Sequence, residues 1–262
     1  MNEAAARLTM LTRLGFGARG LLYLVIAALV ITTGRTEDPA GALQYLGQGG
    51  GKILLLILTA GLLAYGLWRL SDAVFDIERH GEGKSAVVKR LGAAASALVH
   101  FFLAWQAIKL AQGIASAQGD GAQEQASSVL QLPGGATILL LGGIILLGVG
   151  IYQFVKAVKA SFLKHLEPRI ASEKWVEWTG RAGYAARGIV FLITGAFLFN
   201  AGLAEQASEA GGMAEALSWL TPPWDSIVAA GLMAFGLFSL IEARYRVLRD
   251  VPVDAISHKL GA

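Results

Sequence analysis

The stretch Arg13-Leu-Gly-Phe-Gly-Ala-Arg-Gly-Leu-Leu-Tyr-Leu-Val-Ile-Ala-Ala-Leu-Val-Ile-Thr-Thr33 carries two messages. It opens with small residues between two arginines, and after Arg19 no charge recurs until Arg35. Crossing ~30 Å of hydrocarbon takes about 20 consecutive, mostly apolar residues in a helix, so 14–33 reads as a transmembrane span. Working outward, windows at 52–70, 91–110, 136–155, 183–201 and 224–240 reach or approach the same length, which predicts six spans. Composition agrees: 55% apolar residues, 16% charged residues and a mean hydropathy of +0.55 argue against a water-solvated surface. The first apolar run is too long for a signal-peptide core and no small-residue cleavage pattern follows it, so it is expected to stay as an anchor.

The opening motif recurs. Arg13-Leu-Gly-Phe-Gly-Ala-Arg-Gly20, Arg90-Leu-Gly-Ala-Ala-Ala-Ser-Ala97 and Arg181-Ala-Gly-Tyr-Ala-Ala-Arg-Gly188 begin spans one, three and five. The even spans close alike, in Ala64-Tyr-Gly-Leu-Trp-Arg69, Gly148-Val-Gly-Ile-Tyr-Gln153 and Ala234-Phe-Gly-Leu-Phe-Ser239. Each pair of spans also encloses a short amphipathic stretch, 42–46, 128–132 or 216–220, expected as a helical turn in the interface. The fold expected is all-α: one membrane domain over 1–262, built from tandem two-helix repeats at about 11–76, 88–160 and 178–246. Two-span units enter the membrane in the same sense, so a pseudo-threefold axis along the membrane normal follows. Helices gain little from hydrophobicity against lipid, so Gly15, Gly66, Gly92, Gly150, Gly183 and Gly236 are expected as close-packing positions.

Basic residues orient the chain, because Lys and Arg resist translocation. Arg7 and Arg13, then Arg69, Arg79, Lys84, Lys89 and Arg90, then Lys156, Lys159, Lys164, Arg169, Lys174 and Arg181, then Arg244, Arg246, Arg249 and Lys259 fall on one side. The opposite side holds Arg35 and Lys52 and is otherwise acidic, with Glu37, Asp38, Asp120, Glu124, Glu205, Glu209 and Glu215. Both termini are therefore expected in the cytoplasm. The net charge of +3 reads as orientation and attraction to anionic lipid, not as nucleic-acid binding.

These motifs, thrice per chain from about Arg13 to Arg246, resemble the bacterial integral membrane proteins grouped as domain of unknown function 1206. The middle copy departs, with Ser96 for the arginine and Lys156 for the acid. The resemblance implies a bacterial inner-membrane protein and brings no activity with it.

Candidate chemistry is sparse. Arg19 and Arg187 lie about 9 Å of helix beyond Arg13 and Arg181, below the headgroups, where a charge needs a partner. Asp72 and Glu242 return to that depth, and in copy two both cation and acid are lost together, which suggests the ion pairs Arg19–Asp72 and Arg187–Glu242. Independent snorkelling of each arginine to lipid phosphate is the plainer alternative. Arg13, Arg19, Arg181 and Arg187, at helix starts, are also candidates for an anionic lipid headgroup. His100 sits near the expected bilayer midplane, and with Ser96, Gln106 and Gln153 it suggests a polar path. A neutral imidazole hydrogen-bonded to a neighbouring helix is the plainer reading.

Gly15-x-Gly17-x-x-Gly20 matches a dinucleotide fingerprint without the strand it needs, and Gly49-Gly-Gly-Lys52 lacks the glycine and hydroxyl of a P-loop. With no cysteine, thiolate metal sites and thiol nucleophiles are excluded, and no cofactor is expected. No paired carboxylates or activated nucleophile mark an enzyme. The expected role is a non-enzymatic bundle that interacts with membrane lipids or with another membrane protein; the alternative is a small transporter or channel with a polar path near His100.

Overall fold

The computed structural model describes residues 3–47, 51–78, 81, 83–113 and 121–247. Arg79, Asp120, Arg249, Lys259, His80, His258, Gly49 and Gly50 lie outside them. Ten α-helices and no strand occur among the described residues. They are α1 (Glu3–Thr33), α2 (Pro39–Gly47), α3 (Lys52–Phe75), α4 (Lys84–Ala111), α5 (Gly121–Leu130), α6 (Gly135–Lys159), α7 (Pro168–Ala171), α8 (Lys174–Ala204), α9 (Met213–Trp219) and α10 (Trp224–Tyr245). Six of them, α1, α3, α4, α6, α8 and α10, are long and apolar enough to cross a membrane, and the protein is a multipass membrane protein. The helices overrun the apolar windows: α8 starts at Lys174, well before the expected span at 183, because no glycine-proline break separates its polar first turns from its apolar body.

The long helices pack as an open chain. α1 packs against α3 and α10, α8 packs against α10 and α6, and α4 packs against α3. The order around the bundle is therefore α4, α3, α1, α10, α8, α6, and among the described residues the two ends of that series, α4 and α6, do not pack closely on each other. A seam is left between them.

Glycines show how close the other contacts are. A Cβ on Gly15 would stand 2.6 Å from the Tyr65 Cβ of α3, and one on Gly183 would stand 2.6 Å from the Phe235 Cα of α10. At the following junctions, a Cβ on Gly66 would meet Phe101 of α4 at 2.7 Å, one on Gly150 would meet Leu192 of α8 at 2.8 Å, and one on Gly236 would meet the Gly20 carbonyl of α1 at 2.9 Å. Gly92 breaks the pattern, with nothing within 4 Å of its Cβ position. Its expected packing role is corrected: α6 is not there to pack against.

Burial follows the seam. Of the most apolar window in each helix, 61% is buried in α1 but only 28% in α4 and 22% in α6. Ala42 and Leu43 of α2, and Ala216 and Leu217 of α9, are fully buried and join the core that contains Ile26, Ala27, Leu58 and Leu232. Their inner faces cover the end of the bundle away from the basic residues, while Tyr45 and Trp219 remain exposed on the other face. α5 stops at Leu130, within the stretch 128–132, and a turn through Pro133 and Gly134 follows.

Candidate functional site

At the basic end, helices brought together by their small residues hold a buried polar cluster. Gly15 and Ala18 let α1 approach α3, and Gly20 lets it approach α10, so Arg19 between them has no route outward and must be satisfied inside. Its Nη2 lies 2.5 Å from Glu242 Oε2, its Nη1 donates to the Tyr65 hydroxyl at 2.8 Å, and its Nε donates to Ser239 Oγ at 3.1 Å. The rings of Phe16 and Phe235 flank the guanidinium at 4.5 and 4.9 Å. Charge, hydrogen bonds and π faces are all supplied, as a desolvated guanidinium requires.

The cluster continues through the second carboxylate oxygen. Glu242 Oε1 accepts from Arg246 Nη1 at 2.5 Å, and Arg246 Nη2 in turn pairs with Glu78, just past α3. The Glu78 amide donates to Asp72 Oδ1 at 2.8 Å, and Arg69 Nη1 lies 3.6 Å from Asp72 Oδ2. Burial acts to raise the Glu78 pKa, but Arg246, then Arg69 and His165, outweigh it and hold the carboxyl down at about 2. Burial lowers His165 to about 3, with the charge of Arg246 acting in the same direction. Burial also opposes the charge on Arg246, yet Glu78 and Glu242 raise its pKa. A backbone tie runs beside this cluster: Val247 N donates to the His165 carbonyl at 2.8 Å and Glu167 N to the Tyr245 carbonyl at 3.0 Å.

The expected pairing is corrected. Arg19 pairs with Glu242 of the third copy and not with Asp72, and Arg187 makes no ion pair among the described residues. The physical reason is the packing order: α10 lies against α1 as well as against α8, and both oxygens of Glu242 are engaged by Arg19 and Arg246. Arg187 stacks instead on Phe235, Phe191 and Tyr23 at 4.4, 5.0 and 5.5 Å, and its Nε is buried without a hydrogen-bond acceptor. Lys156 is also partly buried against a ring, donating to the Tyr184 hydroxyl at 3.2 Å with the ring at 4.2 Å.

The arginines expected at a headgroup divide. Arg13 is exposed. Arg181 pairs with Glu177 at 2.6 Å, and its Nη1 donates to the Ala157 and Val158 carbonyls at the end of α6. Arg90 does the same for α3, donating to the Ala73 and Val74 carbonyls at 2.7 and 2.9 Å. These two residues satisfy orphan carbonyls at helix C-termini, a role the sequence reading did not assign.

Of the polar set in α4 and α6, only two members meet. His100 carries its proton on Nδ1 and donates to the Ser96 carbonyl at 2.7 Å, within its own helix, while its ring lies 4.3 Å from that of Tyr65. Gln106 Oε1 is buried without a hydrogen-bond partner, and Gln153 is buried in α6. Neither of two open surface cavities touches His100. One, at the end away from the basic residues, is lined by Leu130, Gly134, Thr137 and Glu205 among others; a shallow one lies on α6 around Ile151, Phe154 and Val158.

Comparison with known proteins turns on the same units. The profile of the family described as Domain of Unknown Function (DUF1206) matches residues 14–76, 91–160 and 182–246. The chain belongs to this family. A curated relative is the uncharacterized protein YxxB of Bacillus subtilis (strain 168), 31% identical over 250 residues, which cover 89% of this chain and 90% of the relative. No solved structure matches the chain. Among the described residues of this family member, no group of His, Asp and Glu is arranged to hold a metal ion.

Proposed function

We propose that this family member is a non-enzymatic bundle of the bacterial inner membrane that acts by lateral interaction, with membrane lipid as its ligand. In this reading the chain is a single domain of three two-helix repeats about a pseudo-threefold axis, with both termini in the cytoplasm. The positive-inside distribution of Lys and Arg supports the orientation. Equivalent contacts at Gly66, Gly150 and Gly236, each joining an even span to the next odd span, support the repeat.

The observation that carries the functional reading is the seam. Copies one and three close their hairpins, whereas α4 and α6 stay apart and present Leu98, Val99, Phe102, Ile144, Ile145 and Ile151 outward. In a membrane, such a face is wetted by acyl chains. Against a transport path, the bundle interior is filled by Ile26, Leu62, Leu103, Val190 and Leu232 and plugged by Leu43 and Leu217.

Photo-crosslinking groups placed at Val99 and Ile145, in native membranes, test the role. The expected outcome is adducts with lipid at these positions. Adducts with one protein of defined mass would replace lipid by a protein partner, and solute flux in reconstituted vesicles would replace interaction by transport.

A further inference from the structure

The seam is not only apolar. Every other partly buried cation of the cluster at the basic end has a carboxylate: Arg19 has Glu242, Arg246 has Glu78 and Glu242, and Arg69 lies near Asp72 and Glu78. Among the described residues Arg187 and Lys156 pair with none; they lie against π faces, and Lys156 donates to one phenol. Resting on the lipid-interaction reading above, we propose that an anionic phospholipid lies in the seam between α4 and α6 with its phosphate between Arg187 and Lys156.

The two cations sit on helices that pack closely, with Gly150 against Gly188. Lys156 donates to the Tyr184 hydroxyl, and Arg187 stands one helical turn beyond Tyr184. Arg187 stacks over Tyr23 of α1 and Phe235 of α10, which places its guanidinium on the interior side and not on the outer face of α8. Lys156 lies one turn before the end of α6, at the depth where a headgroup meets hydrocarbon. A guanidinium fork and an ammonium together match the oxygens of a phosphodiester.

The sequence of copy two explains why the site is unbalanced. Lys156 occupies the position held by Asp72 and Glu242 in the other copies, so the acid that α6 could have offered to Arg187 is replaced by a second cation. An unpaired charge at this depth is costly, and two of them favour an anion from outside the chain. A phospholipid, not a soluble anion, fits because the exposed side chains of both seam helices are apolar and give its acyl chains a surface.

The test is native mass spectrometry of the full chain released from nanodiscs of phosphatidylcholine alone or mixed with phosphatidylglycerol, with thermal unfolding measured in parallel. The wild type is expected to retain phosphatidylglycerol and to unfold at higher temperature in its presence. Arg187→Gln should lower retention about tenfold, the scale of one lost charge-assisted contact, and Arg13→Gln should leave it unchanged. Lys156→Glu restores the acid of the other copies, so it should stay folded in neutral lipid and lose the response to phosphatidylglycerol. Lys156→Glu and Arg187→Lys, which keeps the charge, decide the matter if Arg187→Gln does not fold. Retention of phosphatidylglycerol undiminished in Lys156→Glu, or equal retention of phosphatidylcholine, overturns this site while leaving lateral lipid binding standing. A lipid-free dimer, or no retained lipid at all, overturns both.

Discussion

The first and third hairpins and the second are built from matching sequence and pack differently. In α1/α3 and α8/α10 a glycine on the odd helix receives the backbone of an aromatic residue, Tyr65 or Phe235, on the even helix. In copy two the glycine is kept as Gly92, but the aromatic is Val149, the cation is Ser96 and the acid is Lys156. Small residues permit close approach in lipid without driving it; what the two closed hairpins share around them is a guanidinium held among aromatic rings, Arg19 with Phe16 and Tyr65 and Arg187 with Phe191 and Phe235. Remove those partners and the hairpin stays open while its glycine remains.

That contrast is broken most severely at Glu242. Replacing it by Gln leaves Arg19 and Arg246 buried without their shared carboxylate, and removing one partner of a buried pair costs about 3–5 kcal/mol. Thermal unfolding in detergent should show the largest loss of any single substitution in the cluster. A loss no larger than that of an exposed control such as Arg13→Gln would mean that rings and shape hold α1 against α10 without the charge.

The glycines sharpen the same comparison with a change of sign. Gly15→Ala and Gly183→Ala drive a Cβ to 2.6 Å from the neighbouring helix, within its backbone, and overpacking of this kind costs about 1–3 kcal/mol. Gly92→Ala meets nothing within 4 Å, so helix propensity alone acts and stabilises by up to about 1 kcal/mol. Equal destabilisation by all three would place α6 against α4 in the membrane and close the seam.

How far this was legible depended on the physics each feature obeys. Six spans follow from length and apolarity, which are local, and the depth of Arg19, Asp72, Arg187 and Glu242 follows from counting along helices. Which acid meets which arginine does not, since α10 touches both α1 and α8 and only packing decides that Glu242 turns to Arg19. Glu78 and Arg246 were missed as site residues because they lie just past α3 and α10, in segments whose positions are set by tertiary contacts. Ser96 and Lys156 were visible as departures in copy two, but their consequence, an unclosed hairpin, is a property of contacts that fail to form.

At the basic end the second copy is nevertheless tied to the others, and pH tests that tie with the smallest effect of the three. Glu78 follows α3, His165 follows α6 and Arg246 follows α10, so each copy sends one group to the junction. The Glu78 carboxyl is held at about 2 against an ordinary 4.5, so the stability it contributes is complete above the ordinary value and is lost as pH falls from there towards 2. His165, held at about 3 against 6.5, resists protonation in the folded chain; the unfolded chain takes up the proton first, and stability declines as pH falls from 6.5 to 3. Of these two groups only His165 contributes between pH 6.5 and 4.5, and His165→Gln should reduce the fall in unfolding temperature across that interval while leaving the steeper fall below it. A profile unchanged by His165→Gln would leave the backbone bonds from Val247 to His165 and from Glu167 to Tyr245 as the whole of the tie, indifferent to the imidazole they bring beside Arg246.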